Sequence, residues 1–328
     1  MTVKSKWVLT QLAAHLPAGR VLCINAEELP RTLPSVRNDI QTLAFSTRKE
    51  AWLPKRLPDV TAAVLGWSPS KELVKMQLAM LAEKLDAGTQ LLTYGPGETG
   101  IASSKRLLAD NYSHIEKIAF GSHAQLWRAE LATEKPERGL GAWESRFVVE
   151  VANIALRLVT LPGVFSHGEL DEGTRFLLEN MPLLPPKARV HDFGCGCGII
   201  GTWLKLRQPT LDLTLSDVDA LAFASAKATL ASNRLLGVPV HLAEGLAPIP
   251  GPLDIIVSNP PFHQGQRTDR SVVTELITTA RKKLRRGGKL IVVANRFLPY
   301  KADMEQQIGP TRILADSPQF WVLETTGK

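Results

Sequence analysis

Residues 189–201 read Arg189-Val190-His191-Asp192-Phe193-Gly194-Cys195-Gly196-Cys197-Gly198-Ile199-Ile200-Gly201. The first five residues are typical of a short strand, and residues 202–207 favour a helix after the glycine-rich loop. Strand, glycine loop and helix form the first unit of a nucleotide-binding α/β sheet, where glycines let the backbone approach a ligand closely. The segment therefore predicts a Rossmann-like domain with a ligand site at the loop.

The residues around this loop favour a cationic ligand over a dinucleotide. The dinucleotide fingerprint requires Gly or Ala at the sixth position of the loop, where this chain has Ile199. Asp192, two residues before Gly194, suits a cationic sulfonium amino acid better than a pyrophosphate. The next apolar run, 211–216, leads to Asp217, and an acid at that strand end is placed to accept the two ribose hydroxyls. These features predict a site for S-adenosyl-L-methionine.

A second motif, Asn259-Pro260-Pro261-Phe262, directly follows the apolar run 253–258. The Asn259 side-chain oxygen and the Pro260 carbonyl can each accept a hydrogen bond from one N–H of a planar amine, because the prolines fix the backbone and have no competing N–H. The Phe262 ring offers a face on which a planar substrate can stack. Such a motif also occurs in ordinary turns. Its position after the glycine loop and Asp217 favours methyl transfer to a planar amino nitrogen, with Asn259, Pro260 and Phe262 as catalytic candidates.

Composition limits the class of protein. The chain has 328 residues, 44% of them hydrophobic and 22% charged, which is typical of a globular protein with room for two domains. The net charge of +7 suits a polyanionic partner such as RNA. The three cysteines form no disulfide framework and no zinc-ligand spacing. The lack of an apolar run of membrane-spanning length and of a signal-peptide pattern predicts a cytoplasmic protein without a membrane partner. We also expect a monomer that binds no metal.

The first half of the chain alternates apolar strand-like runs with helical segments and predicts a second α/β sheet. The loop Gly95-Pro96-Gly97-Glu98-Thr99-Gly100 matches the dinucleotide pattern formally. A nicotinamide enzyme is disfavoured because the required acid is absent from the end of the following apolar run, and Glu116 lies near the start of that run. The polar segment 134–139 is the best linker candidate.

The second half predicts a mostly parallel sheet with right-handed crossovers. Strands are expected near 188–193, 211–216, 239–243, 253–258 and 289–294, helices near 199–207, 220–233 and 271–284, and a closing strand pair within 311–325. The basic run 281–286 before Gly287-Gly288 is interpreted as the C-terminus of the last of these helices.

At this point the chain resembles a known family, the bacterial small-subunit ribosomal RNA guanine-N2 methyltransferase C (RsmC) family. The match runs through the second half and extends more weakly into the first. The residues that carry it are 161–166, Leu170-Asp171, Gly173-Thr174, 192–198, Asp217, 258–263 and 293–300 in the second half, with 67–81 and 107–110 in the first. The chain departs from the pattern at Cys195 and Cys197, which bracket Gly196, and at Glu244, where relatives often carry Asn or Asp.

The resemblance implies two tandem Rossmann-like class I methyltransferase domains with mostly parallel sheets and flanking helices. Residues 1–140 would form a degenerate domain that supports structure or positions RNA, and residues 141–328 the catalytic domain. The implied acceptor is the exocyclic amine of a guanine in 16S rRNA of the small ribosomal subunit. The implied cofactor site comprises Asp192, Gly194, Cys195, Gly196, Gly198, Asp217 and Glu244.

Three alternatives remain at this stage. The nearest is the same chemistry on 23S rRNA. The second is amino methylation of DNA adenine or protein glutamine, because both reactions use Asn-Pro-Pro-aromatic motifs. The third is an RNA-binding or ribosome-assembly protein without turnover, which the combination of glycine loop, Asp217 and Asn259 disfavours.

Overall fold

The structure is a computed structural model that describes residues 3–26, 28–53, 55–57, 59–133, 135, 138–165, 168–260 and 267–328. The chain divides into two compact units, Met1–Trp143 and Glu144–Lys328. Each unit contains its own mixed, mostly parallel sheet with helices, so the predicted α/β fold class is confirmed. The sequence predicted the division at 140/141, and the role predicted for each half stays a prediction.

The N-terminal unit is built around a six-stranded sheet in the order β2-β1-β3-β4-β6-β5. Its strands are β1 (Gly19–Ile24), β2 (Ile40–Phe45), β3 (Val60–Gly66), β4 (Gln90–Pro96), β5 (Tyr112–Gly121) and β6 (Ala124–Leu131). Its helices are α1 (Val3–His15), α2 (Leu29–Val36), α3 (Lys71–Lys84) and α4 (Ser104–Leu108). β1 to β4 are parallel, whereas β6 runs antiparallel to both β4 and β5.

Both faces of this sheet are covered, because alternate residues of a strand point to opposite sides. Leu22 and Ile24 of β1 pack in one core cluster with residues of α3, while Val21 and Cys23 pack in another with residues of α1 and α2. Trp52 packs against the first cluster with a buried indole nitrogen. Trp52 is therefore part of the packing around this cluster.

The C-terminal unit contains a seven-stranded sheet in the order β11-β10-β9-β12-β13-β15-β14. Its strands are β9 (Arg189–Phe193), β10 (Asp212–Asp217), β11 (Val240–Leu242), β12 (Leu253–Ser258), β13 (Leu284–Asn295), β14 (Thr311–Asp316) and β15 (Phe320–Thr326). Its helices are α5 (Glu172–Glu179), α6 (Ile199–Arg207), α7 (Ala220–Ser232), α8 (Arg267–Lys283) and α9 (Tyr300–Gln307), and β7 (Ser145–Val151) with β8 (Ile154–Thr160) forms a separate hairpin.

The parallel strands β9 to β13 and their helices lie close to the predicted ranges, and the closing pair β14–β15 is antiparallel. The strand order reverses between β9 and β12, which makes their carboxyl ends the switch point where open α/β sheets bind ligands. The hairpin packs on α7 through hydrogen bonds from the main-chain N–H of Val159 to Thr229 Oγ1 (2.9 Å) and of Leu161 to Ser225 Oγ (3.1 Å).

The end of α8 agrees with the predicted range, but the glycines after it differ from the prediction. α8 ends at Lys283, and Gly287-Gly288 lies inside β13 instead of terminating the helix. The pairing of β12 with β13 shifts register there, because Leu253 is opposite Leu284 but Ile255 is opposite Lys289. Gly287 has a φ of 74° and donates its N–H to the Gly327 carbonyl at 3.0 Å. The glycines thus form an irregularity at a strand start, which resembles a helix stop in sequence.

Among the residues that the structure describes, no helix is both long and apolar enough to cross a lipid bilayer.

Candidate functional site

Three predicted site residues meet at the carboxyl edge of the C-terminal sheet. Asp192 is the fourth residue of β9, Asp217 ends β10, and Asn259 directly follows β12. The strand register places Asp192 opposite Leu215 of β10 on one side and Val257 of β12 on the other. Residues far apart in sequence therefore converge at the switch point between β9 and β12.

The glycine loop between β9 and α6 is closed by internal hydrogen bonds. The main-chain N–H of Cys195 donates to the Ser216 carbonyl at 2.9 Å, and that of Gly196 donates to Asp217 Oδ2 at 2.9 Å. The N–H of Gly198 donates to the Cys195 carbonyl at 2.8 Å. These donors are used inside the fold, so the loop offers little for a pyrophosphate, which binds to N–H groups.

The loop leaves room for a ligand beside it. A Cβ added at Gly194 or Gly196 would have no heavy atom within 4 Å among the described residues, and the φ values there are 67° and 54°. By contrast, a Cβ at Gly198 would lie 3.2 Å from Ala226 of α7, so this glycine permits close packing of the loop on the helix. The first two glycines border open space that a bound group can fill, as the sequence predicted.

Two buried carboxyl groups give this edge its electrostatic character. Burial raises the pKa of Asp192 to about 7, with the nearby Asp217 adding to the effect and the hydrogen bond from the Gly201 N–H opposing it. Burial likewise raises the pKa of Asp217 to about 6, against hydrogen bonds from the main chain of Asp219 and Gly196. Asp192 Oδ1 is buried and has no hydrogen-bond partner among the described residues. A cationic ligand would stabilise both carboxylates, which fits a sulfonium and ammonium compound.

We expect Asp192→Asn to change the pH dependence of stability. Between about pH 4 and pH 7 the folded Asp192 keeps a proton that the unfolded chain has lost, so the cofactor-free protein loses stability as pH rises through this range. The variant lacks this ionisation. Relative to the parent, its free energy of unfolding should improve by about 1–3 kcal/mol between pH 4 and pH 8. Denaturant unfolding at the two pH values measures this shift, and a difference that is constant with pH contradicts the buried-carboxyl assignment.

The Asn259 side chain is held in one orientation. Its Nδ2 donates to Asp171 Oδ2 at 2.9 Å and to Thr174 Oγ1 at 2.7 Å. Asp171 is the N-cap of α5, and its Oδ2 also accepts from the Thr174 N–H at 2.8 Å and from Thr174 Oγ1 at 3.2 Å. Since both amide hydrogens have acceptors on α5, Oδ1 faces the other way, where it is buried without a partner in the described part of the chain. It is thus an acceptor prepared for a donor that none of the described residues supplies.

Asp171 and Thr174 were not predicted as site residues, although both belong to the segments that carry the family resemblance. An acid before a short helix reads as an ordinary N-cap in sequence. Only the tertiary structure brings this cap to Asn259, which lies 88 residues further along the chain.

We expect Asp171→Ala to lower kcat by roughly 10- to 100-fold, because a misplaced reacting group costs on this order. The dissociation constant of S-adenosyl-L-methionine should stay within a few-fold. Asp171→Asn should restore most of kcat, because a single oxygen of Asp171 accepts all three hydrogen bonds. Steady-state methyl transfer separates kcat from KM. Equal loss in the Ala and Asn variants would contradict a positioning role through hydrogen bonding.

The remaining predicted residues have different positions. Pro260 follows Asn259 and is buried. Glu244 is exposed just beyond β11, where the Ala243 N–H donates to the Asp217 carbonyl at 2.9 Å, so it lies at the same sheet edge. Phe262 lies outside the described residues. The roles of all these residues remain predictions.

The surroundings of the two loop cysteines and of one histidine indicate structural roles. Burial raises the pKa of the Cys197 thiol to about 12 and that of Cys195 well above its usual value, so neither is a reactive thiolate. His191 is buried between Thr214 Oγ1 and Ser216 Oγ, each 2.8 Å from a ring nitrogen, and burial lowers its pKa to about 3. A neutral His191 therefore ties β9 to β10 beneath the site. No group of three or more potential metal ligands occurs among the described residues.

Sequence comparison supplies independent findings. Residues 155–324 match the methyltransferase small domain family, and residues 8–147 match the family of its N-terminal domain. A ribosomal RNA small subunit methyltransferase C from Pseudomonas paraeruginosa is 41% identical over 336 aligned positions, covering 98% of each chain. The protein of the same name from Pseudomonas fluorescens is 36% identical, again with 98% of each chain covered.

A solved structure shares the fold across both units. It is that of a T. thermophilus 16S rRNA N2 G1207 methyltransferase, in complex with AdoMet and guanosine. The TM-score is 0.78, with 98% of this chain and 92% of the other covered at 20% sequence identity. At that identity the likeness establishes the tandem α/β architecture.

Proposed function

Because the chain belongs to the ribosomal RNA small subunit methyltransferase C family, we propose that it transfers a methyl group from S-adenosyl-L-methionine to the exocyclic N2 amine of a guanine in 16S rRNA. The relatives that cover nearly the whole chain carry this family's name, and the structural neighbour binds AdoMet and guanosine. The net charge of +7 supports a polyanionic substrate.

The observation that carries the proposal is Asn259 Oδ1, a buried acceptor without a hydrogen-bond partner in the described part of the chain. A guanine N2 amine has two protons, and its lone pair is delocalised into the ring, so the nitrogen is planar and a weak nucleophile. Asn259 Oδ1 accepts a hydrogen bond from one N–H, and the Pro260 carbonyl accepts one from the other, which favours a tetrahedral nitrogen with an exposed lone pair. Hydrogen bonds to Asp171 and Thr174 hold Asn259 in this orientation before the substrate arrives.

The cofactor supplies an electrophilic methyl group on a positively charged sulfur. Asp192 and the Gly194–Gly198 loop would hold its methionyl part, and Asp217 would accept hydrogen bonds from its ribose. Glu244 lies just beyond β11, at the same sheet edge as Asp217, and would face the adenine. Most of the rate enhancement then comes from orientation and electrostatics, and no strong general base is required before transfer.

Phe262 would stack on the target base, following its place in the Asn-Pro-Pro-Phe motif. A base that is paired or stacked in RNA must first be splayed out to reach such a site.

We further propose that the enzyme acts as a cytoplasmic monomer. In this scheme Glu144–Lys328 carries catalysis, and Met1–Trp143 supports the fold and positions the RNA.

The test is methyl incorporation from labelled S-adenosyl-L-methionine into small subunits, large subunits, free RNA and DNA from cells that lack this protein. The expected result is label only in small-subunit RNA, recovered as N2-methylguanosine. Label in large-subunit RNA would replace this proposal with the 23S alternative. No label in any substrate, with cofactor binding intact, would contradict an RNA methyltransferase and point to a protein acceptor or a non-catalytic role.

A further inference from the structure

The N-terminal unit has a crevice of about 300 Å³ at the carboxyl edge of its own sheet. It is formed where β1, β3 and β4 end, and its walls include Asn25, Trp67, Ser68 and Tyr94 together with Gly66 and Gly95. Cavities of this size are at the lower end of those that hold small molecules.

The crevice is topologically equivalent to the candidate site of the C-terminal unit. The strand order β2-β1-β3-β4-β6-β5 repeats the order β10-β9-β12-β13-β15-β14, strand for strand, and lacks only a counterpart of the edge strand β11. The order reverses between β1 and β3, as it does between β9 and β12. Asn25 follows β1 as Gly194 follows β9, and both have a positive φ. The crevice is therefore at the ligand-binding switch point of its sheet.

The described residues at this edge lack the acids found at the equivalent edge of the other unit. β9 carries Asp192 and β10 ends in Asp217, whereas β1 ends in Ile24 and β2 in Phe45. No carboxylate belongs to the described residues that line the crevice. The described lining residues therefore offer no counter-charge to a sulfonium amino acid, unlike the edge that carries Asp192 and Asp217.

The lining suits a planar, neutral, hydrogen-bonding group. Two aromatic residues, Trp67 and Tyr94, are among the lining residues, and aromatic rings are surfaces on which nucleobases stack. Asn25 contributes an amide, and its Nδ2 donates to Gln77 Oε1 at 3.1 Å. Gln77 is 1% exposed, and its Nε2, like Nε1 of the 5% exposed Trp67, has no hydrogen-bond partner among the residues the structure describes. Trp67 lines the crevice and Gln77 bonds to Asn25, which also lines it, and buried donors without partners occur at binding sites.

Close approach of the strand ends keeps these walls in place. A Cβ on Gly66 would lie 2.2 Å from the Asn25 carbonyl oxygen, and one on Gly95 would lie 2.9 Å from Trp67 Cβ. Both contacts are shorter than real Cβ atoms allow, so only glycine lets β1, β3 and β4 end this close together.

We propose that this crevice in the N-terminal unit is a second nucleobase site, which binds an unpaired base of the RNA substrate against the aromatic residues Trp67 and Tyr94 and contacts its edge through Asn25. The assignment of the base to 16S rRNA rests on the proposed function, whereas the crevice itself does not. A base held here carries no reaction, because the described residues at this edge include no counterparts of Asp192 and Asp217. Its contribution is to RNA affinity.

The test uses the full chain and two variants of different kinds. Trp67→Leu removes the stacking ring but keeps apolar bulk, and Trp67→Phe restores an aromatic face. Asn25→Gly removes the amide and preserves the backbone, because glycine adopts a φ of 51° without strain. Steady-state kinetics with unmethylated small subunits should show KM raised about 10-fold for Trp67→Leu, with kcat unchanged and most of the loss recovered in Trp67→Phe. Asn25→Gly should raise KM several-fold.

Matched controls separate binding from folding. Trp52→Leu changes a partly buried tryptophan that packs on the same core as the buried Trp67 but does not line the crevice. Asn153→Gly changes an exposed asparagine with a φ of 62° in the turn between β7 and β8. Both should leave KM for the subunits within about twofold, a change too small for the loss of a base contact. Thermal unfolding and the dissociation constant of S-adenosyl-L-methionine check that every variant is folded.

A direct binding experiment distinguishes a base of the RNA from a free nucleotide and does not depend on methyl transfer. Guanosine and adenosine 5′-monophosphates are titrated calorimetrically into the wild type and the Trp67→Leu variant, alongside filter binding of small-subunit RNA. A loss of RNA affinity in Trp67→Leu supports the assignment of the crevice to a base of the RNA. Loss of monophosphate binding alone supports the site but assigns it to a free nucleotide. Unchanged RNA and monophosphate binding in both Trp67→Leu and Asn25→Gly overturns the proposal, even if methyl transfer to the small subunit is confirmed.

Discussion

Replacement of Asn259 by alanine should lower kcat by about 100- to 1000-fold, the cost of removing one preorganised acceptor or donor at a reacting group. The variant loses Oδ1, the buried acceptor that no described residue satisfies, and with it control of one proton on the target amine. Asn259 follows β12 on the side of the site away from β10, so the dissociation constant of S-adenosyl-L-methionine should stay within a few-fold. Single-turnover methyl transfer with saturating cofactor, together with calorimetric cofactor binding, measures both quantities.

Asn180→Ala is the matched control for this prediction. Asn180 is an exposed asparagine at the end of α5, and its Nδ2 donates to the Phe176 carbonyl within that helix. Its loss should leave kcat unchanged. If Asn259→Ala abolished cofactor binding while transfer remained normal at higher cofactor concentration, Asn259 would belong to the cofactor site and the assigned chemistry would be wrong.

Asp217→Ala should have the opposite pattern. Each charge-assisted hydrogen bond contributes about 1.5–3 kcal/mol, so loss of the ribose acceptor should raise the dissociation constant of S-adenosyl-L-methionine roughly 100-fold. The substitution also releases the Gly196 and Asp219 N–H groups that Asp217 now holds at 2.9 Å each, and so loosens the glycine loop. With enough cofactor to saturate the variant, kcat should recover to within about 10-fold of the parent, because the transferring atoms contact other residues.

The pH dependence of cofactor binding gives this prediction a second readout. Burial raises the pKa of Asp217 to about 6, so the carboxyl gains a proton as pH falls through this value and becomes a weaker acceptor. Wild-type affinity should therefore fall between pH 7.5 and pH 5, whereas Asp217→Ala should show a flatter profile. Asp212→Ala is the control, since Asp212 begins the same strand but lies exposed at the opposite edge. Weaker cofactor binding by Asp212→Ala would indicate a general effect of charge and not a contact made by Asp217.

The sequence was informative wherever chemistry and secondary structure coincide in one short segment. The glycine loop, Asp217 and Asn259 each follow a strand of regular apolar character, and the carboxyl ends of parallel strands meet at one edge of a sheet. That geometry is general, so the convergence of these residues was predictable from their order. The division of roles between the two halves remains a prediction.

Two features could not be read from local patterns. Gly287-Gly288 after a basic helix end resembles a helix stop, yet pairing with the chain's last strand region makes it part of β13. β2 and β6 lie outside the apolar runs from which the first sheet was predicted, because each mixes apolar and polar residues without strict alternation over a short span.

Residue order along the chain was enough to determine the class of fold, the position of the ligand-binding edge and the residue types that meet there, because strand periodicity and glycine loops act over a few neighbouring residues. Tertiary packing alone decided that Asp171 and Thr174 hold the Asn259 amide, that burial raises the pKa of Asp192 to about 7 and that of Asp217 to about 6, and that the N-terminal sheet keeps a crevice at its own switch point. Orientation and burial depend on contacts between segments tens of residues apart, and no local sequence pattern encodes them.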